Sequence, residues 1–566
     1  MKRIVAILLL MLMLSACAYI PGTVVDTTKE TEHSSTEVTA KQTVTEETTV
    51  LKNPENVFMI PGELPNIGEF SGNNRGNRFY EEYTPDFIPS KDYGKIIPFV
   101  GSYKVYETKD DDFKTTHGYA TYGFCTPDGK IVMDASSKTY GVFYRETDDG
   151  FGYYSVSREM KQRDDAPDEY YPDETLLIPA SGEWCLSFEQ RAWVNEAGGG
   201  VILVSLYSDG YTNERVEVYD YSGNKISELS GYDSYGIYSN GLIGASKWDN
   251  KGEFSAAFIN LEGETVLGPY RGISNFTESG FAYIKDDNND YYFIDKSGKR
   301  LSRAYENIQL NYGDNGKGDV FAATCKDDGG TDVFDLDLNL LGHTDQDRYL
   351  SFSFPKNGEI FYYYYDYDSG DYNTQIWKRL SDGSDFVSKE FLVSPNHYSS
   401  SNDVFINYDN DTKKAIIFDG DGETIAVLDN IESVSNASAD GRYFVYMTGA
   451  YDYNAQIPVA LTPIQFHVYD TLKKTDVFVL EKDGYADFVG TNNRYICFSV
   501  YDKFSMFGGL DGYYLYDTNT NQIVFSDANY IEYEEIGGEW YFNVCTGNSY
   551  SVYDGEMNLI IKTYKE

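Results

Sequence analysis

A chain of 566 residues is longer than one ordinary hydrophobic core can organise, so several cores or a repeat are expected. Its 46 basic and 90 acidic residues give a formal charge of −44. That charge repels phosphate backbones, makes nucleic acid a poor expectation as a partner, and suits a soluble surface outside the cell.

The chain opens on an address. Lys2 and Arg3 precede the apolar run IVAILLLMLML, and LSAC follows at 14–17. A basic start, a short apolar core and small residues before a cut describe a secretory signal over residues 1–16. The apolar run is too short for a permanent membrane span. The stretch LSAC resembles a lipobox, the signal of bacterial lipoproteins. The resemblance implies cleavage before Cys17 and a diacylglycerol on its thiol, giving a lipid-anchored protein that faces outside the cytoplasm. Acyl chains anchor by burying methylenes, roughly 0.8 kcal/mol each. An ordinary secretory signal with a coincidental Cys is the competing reading.

Residues 17–50 follow as a Thr- and Glu-rich tether whose composition, without an aromatic residue from 22 on, cannot offset ordering entropy. Residues 51–100 carry six of the 16 prolines (Pro54, Pro61, Pro65, Pro85, Pro89 and Pro98) and are expected to form an irregular lead-in.

Beyond position 100 the chain is strand-like. Aromatic residues make up 16% of the whole, with 53 Tyr, and Gly, Asp and Asn clusters supply turns. YYFIDKSGKRL (291–301) is a strand, an Asp, a short polar turn and a second strand. Eight relatives of it recur. The skeleton positions are Thr126, Asp220, Asn260, Asp295, Asp335, Asp419, Asp470, Asp517 and Asp554. Two spacings are about twice the others, from 126 to 220 and from 335 to 419. Each is expected to hide one worn copy, near 155–180 and near IWKRLSDGSDF (376–386). Nine visible and two inferred copies make eleven units of roughly 42 residues, the length of one four-stranded propeller blade.

Two stretches carry a family resemblance. FINLEGETVLGPYRGISNFTESGFAYIKDDNNDYYFIDKSGKRL (258–301) resembles tandem WG repeats through Phe293, Ile294, Asp295, Gly298 and Lys299, the Pro269–Tyr270 step, and Gly280, Phe281 and Ala282. YGFCTPDGKIV (122–132) resembles them through Tyr122, Gly123, Asp128, Gly129 and Lys130. The Trp-Gly pair is missing throughout, and the resemblance covers about 90–345. It implies a β-propeller or a similar repeat fold and says little about chemistry.

The expected fold is therefore all-β, a β-propeller architecture of about eleven four-stranded blades. Eleven blades exceed the usual four to eight, so two rings are expected. They would be a WG-repeat-like propeller over 101–345 and a second propeller over 346–566, with one larger ring as the alternative.

Candidate chemistry is sparse. Five His are present, and neither HExxH nor GxSxG occurs. Cys125, Cys185, Cys325, Cys497 and Cys545 show no zinc spacing. They are read as buried free thiols, with a Cys497–Cys545 pair as the alternative. DLDLN (335–339), DDNND (286–290) and DYDSGDYN (366–373) are read as hairpin tips, with calcium at a tip as the alternative. The aromatic runs FYYYYDYD (361–368) and DGYYLYD (511–517) are read mainly as inter-blade packing, with a Tyr-lined platform at a ring mouth as the alternative. No catalytic residue, resident metal or cofactor is assigned. The reading is a membrane-anchored binding or scaffolding lipoprotein for a protein or glycan ligand. The alternatives are an extracellular glycan hydrolase or lyase using funnel carboxylates, and a mainly structural envelope protein.

Overall fold

In a computed structural model the chain is all-β. It describes residues 57–59 and 91–564 except for internal segments, the longest being 163–169, 312–318, 366–374, 387–396, 453–458 and 502–509. The expected signal peptide, Cys17, the tether and most of the lead-in lie outside the described residues.

Small antiparallel sheets follow one another along the chain. They cover 97–133, 139–188, 192–229, 234–270, 272–344, 351–379, 397–429, 431–482, 485–528 and 530–564, and a two-stranded hairpin over 451–460 projects from the eighth. In nearly every sheet the strands are ordered as they occur in sequence. The strand Val57–Met59 adds in parallel to Leu559–Tyr564, at the outer edge of the last sheet.

Not every sheet has four strands. The first and sixth have three, and 272–344 has seven. That long sheet is two units joined at a single residue pair, Tyr291 with Tyr305. The join exists because the fourth strand after Asp295 shrinks to one bridge between Ile294 and Arg300. The two wide spacings in the repeat are filled by the sheets 139–188 and 351–379.

Period-two alternation explains why the sheets stack. In Val201–Ser208, Ile202, Val204 and Leu206 pack with Tyr153, Leu177 and Phe188 of the preceding sheet. Val201 and Leu203 point the other way and pack with Tyr235, Ile243 and Ala245 of the following one. A strand buried on both faces reads as a continuous apolar run, as VILV does here. The same exchange repeats at each successive junction.

Two junctions matter most. Val320, Ala322 and Val333 share a core with Leu350, Phe352, Tyr362 and Tyr364, on either side of the stretch where a join between rings was expected. At the other end, Ile97, Phe99 and Phe124 of the first sheet share one core with Val552, Ile560 and Ile561 of the last. Thr563 donates to the Val100 carbonyl at 3.1 Å, and Lys95 pairs with Glu539 at 2.6 Å across the same seam.

The recurrent Asp works as a turn brace. Asp220 Oδ1 accepts the amides of Ser222 (2.9 Å) and Asn224 (2.8 Å), while the Gly223 amide reaches back to the Asp220 carbonyl at 3.0 Å. Asn260, Asp295, Asp335, Asp419 and Asp554 hold their turns in the same way. The fourth residue of each turn is left-handed. Gly298 at φ 81° fits without strain, whereas Leu338 takes φ 62° in the same place. The described residues of the aromatic runs serve packing: Phe361, Tyr362, Tyr364, Tyr514 and Tyr516 are buried, and Tyr363 stacks on Trp377 at 4.3 Å.

A core side chain and a turn brace should therefore differ in cost. Phe293→Ala empties a fully buried site between two units and is expected to destabilise by about 3–5 kcal/mol. Asp335→Ala removes exposed hydrogen bonds and is expected to cost about 1 kcal/mol. Chemical denaturation of both variants checks the order, and equal costs would contradict the packing account.

Candidate functional site

Each sheet begins with an edge strand, and two neighbouring edge strands carry the first candidate. Phe143 and Arg145 lie on Thr139–Glu146, and Trp193 and Glu196 lie on Ala192–Gly198. Phe143 is 51% exposed and Trp193 41% exposed, and the other large aromatic as open among the described residues is Trp248. The Arg145 guanidinium lies over the indole at 5.4 Å. Burial raises the Glu196 carboxyl above its ordinary value, and Arg145 opposes that shift. A flat apolar face beside one positive and one negative group can stack a sugar ring or an aromatic side chain and hydrogen-bond its rim.

The edge strand Tyr530–Ile536 of the last sheet presents two more carboxyls, Glu532 and Glu534. Burial raises both, and the neighbouring Glu532 charge helps push Glu534 up to about 8. Tyr144 lies beside them, accepting the Gly537 amide at 3.0 Å and donating to Glu146 at 2.6 Å.

A third cluster lies on Val320–Cys325, Thr331–Phe334 and Leu340–Thr344. The register sets Ala323, Asp332 and His343 side by side, and Cys325 lies two residues along the same face. His343 Nδ1 is 2.9 Å from Asp332 Oδ1. Arg303 Nη2 is 2.8 Å from both Asp332 Oδ2 and Cys325 Sγ, and the Tyr305 hydroxyl donates to Asp332 Oδ2 at 3.1 Å. Burial works against the Asp332 charge, yet hydrogen bonds from His343, Arg303 and Tyr305 outweigh it and hold the carboxyl low. Burial, then the Asp332 charge, pushes the Cys325 thiol up to about 11.

The acidic stretches read as hairpin tips are occupied by turn bonding. Asp335 spends its carboxylate on the amides of Asp337 and Asn339 and on the Asn339 side chain at 2.9 Å. Asp286 does the same for Asn288 and Asp290 and pairs with Arg300 at 3.0 Å. The stretch DYDSGDYN lies wholly outside the described residues. None of Cys125, Cys185, Cys325, Cys497 and Cys545 is in a disulfide; Cys185 is half-buried and the other four are buried. His467 stacks on Tyr446 at 4.4 Å and bonds Asp476 at 3.1 Å, a packed structural position. Sequence reasoning missed Phe143, Trp193 and the Cys325 cluster. A Trp at an alternating position of an edge strand was the one signal for the first, and the cluster left none.

No known protein family matches the chain, and no curated protein does either. Among solved structures, KlHsv2 with loop 6CD replaced by a Gly-Ser linker is similar over 61% of this chain and 94% of its own, at 8% identity and a TM-score of 0.22. The Dos1 propeller is similar over 63% of this chain and 93% of its own, at 14% identity and a TM-score of 0.27. No inference about this chain is carried by likenesses this weak. No described helix is long and apolar enough to cross a membrane.

The Glu534 carboxyl gives a pH prediction. Its ordinary value is 4.5 and its folded value about 8, so between these the folded chain holds a proton that the unfolded chain has lost. Its contribution to stability falls as pH rises through that window. Glu534→Gln should remove the fall, gaining on the order of a few kcal/mol over the unmodified chain at pH 8.5 and little at pH 4.5. Thermal melts at both pH values check this, and parallel pH profiles would contradict it.

Proposed function

We propose that this chain is an extracytoplasmic, lipid-anchored binding or scaffolding protein, built as one β-propeller ring, that holds a protein or glycan ligand at its edge strands. The ring rests on the packing order. Ten sheets, one of them a double unit, each bury a face on the next, and the last buries a face on the first. This departs from the two-ring expectation. In such a ring the first strand of each sheet is innermost, which would set Phe143, Arg145, Trp193 and Glu196 on the central channel.

The observation that carries the binding reading is the exposure of Phe143 and Trp193 on adjacent edge strands with Arg145 over the indole. Stacking needs flat apolar faces open to solvent, and most large aromatics of this chain are spent on packing. Membrane attachment rests on the lipobox-like LSAC and Cys17, with the acidic tether as a spacer. The charge of −44 argues against nucleic acid.

A second reading, a glycan hydrolase or lyase, is favoured by one observation. Glu532 and Glu534 are close neighbours with raised protonation, and a carboxyl near 8 can donate a proton at neutral pH.

Two experiments separate these readings. A glycan array and pull-down on the purified chain is expected to give binding without turnover, with Trp193→Ala and Phe143→Ala each weakening it about tenfold or more. Released sugars that vanish in Glu534→Gln would instead establish the enzyme. For the anchor, Cys17→Ala is expected to release the protein into the medium, and continued retention in the membrane fraction would overturn it.

A further inference from the structure

We propose that Cys325, Asp332 and His343 form a site for a borderline-soft divalent transition metal of the Zn(II) class, with which the Arg303 guanidinium competes. The three ligand atoms already lie within 4.8 Å of one another. Bond lengths of about 2.0–2.3 Å require tetrahedral ligand atoms to sit about 3.5 Å apart, so the contraction needed is small. A thiolate, a carboxylate and an imidazole suit zinc or cobalt and are a poor set for calcium or magnesium, which take oxygen ligands.

Three features support the site beyond proximity. The ligands come from three adjacent strands, so the backbone register fixes their spacing rather than flexible loops. The Tyr305 hydroxyl holds Asp332 from outside the ligand set, as supporting hydrogen bonds do around metals. Gly330 lies against the His343 ring, where a Cβ would meet Nε2 at 2.7 Å, so the absence of a side chain lets the imidazole turn Nδ1 toward Asp332.

The Arg303 guanidinium sits where a cation belongs, with Nη2 at 2.8 Å from both sulfur and carboxylate. It has a second acidic neighbour, the exposed Asp327, 3.7 Å from Nη1. Exchange therefore balances. The metal enters, Cys325 gives its thiol proton to solvent as the sulfur–metal bond forms, and Arg303 moves to Asp327. One positive charge against Asp332 is replaced by two against Asp332 and the thiolate. Three protein ligands leave one coordination position for water or a group on a ligand.

The test uses the purified full chain, stripped with a chelator and titrated with Co(II), whose sulfur-to-metal absorption reports thiolate ligation directly. One equivalent with that band and tetrahedral visible bands is expected. Cys325→Ser should abolish the band, His343→Ala should weaken binding at least tenfold, and Arg303→Met should tighten it at least tenfold by removing the competing cation. Absence of the band, or its survival in Cys325→Ser, overturns the proposal. If Cys325→Ser does not fold, the His343→Ala and Arg303→Met comparison decides. Affinity unchanged in both would assign the metal elsewhere.

Discussion

Burial of both faces of each small sheet is the constraint on which this structure depends. A sheet of three or four short strands has too little apolar area to hold itself together. Stacked between neighbours, it loses both apolar faces to them, and each fully buried Ile, Val or Phe is worth about 1.5–3 kcal/mol. Val201–Ser208 shows the arrangement on one strand, with alternate residues serving two different cores. A linear stack of this kind would leave two apolar faces open at its ends, and it is there that Ile97, Phe99 and Phe124 share a core with Val552, Ile560 and Ile561.

Turn chemistry serves this packing. A one-residue slip would turn each apolar set to the wrong neighbour, so register has to be held at each hairpin. Asp220 and its counterparts do so by tying their own carboxylate to amides two and four residues on. Lowered carboxyl values follow at Asp220 and Asp295, from a side-chain hydrogen bond first in each case. The acidity of the chain is thus partly architectural, and at two calcium-like tips Asp286 and Asp335 are already engaged by their own turns.

What could be read from the sequence was what is local. The Asp-centred hairpin and the fully apolar strands each lie within a dozen residues. Counting from the repeat position, the left-handed residue is the fourth of the turn in most copies but the fifth in those of Asp470 and Asp517, at Lys474 and Asn521. The worn copy near 376–386 keeps its turn through Asp382, which accepts the Ser384 amide at 2.9 Å. Asp249 braces Lys251 and Glu253 in the same way, yet escaped the repeat because it closes a different hairpin of its sheet. The fusion at Tyr291 and Tyr305 depends on a strand shrinking to one bridge, which no residue pattern announces. The Cys325, Asp332 and His343 cluster depends on cross-strand register over three strands. The seam between the first and last sheets joins residues more than four hundred positions apart. Neither leaves a trace in spacing.

Function in this arrangement falls to what packing leaves over. Among the described residues three large aromatics are markedly exposed, Trp248, Phe143 and Trp193, and only the last two lie on the first strands of neighbouring sheets with Arg145 over the indole. The central claim is that the stack closes on itself as one ring. Single-particle electron cryomicroscopy of the purified protein tests it most directly. The account predicts one ring of eleven radial sheets with the first and last in contact. Two smaller rings side by side, or an open arc with a gap between those sheets, would contradict it.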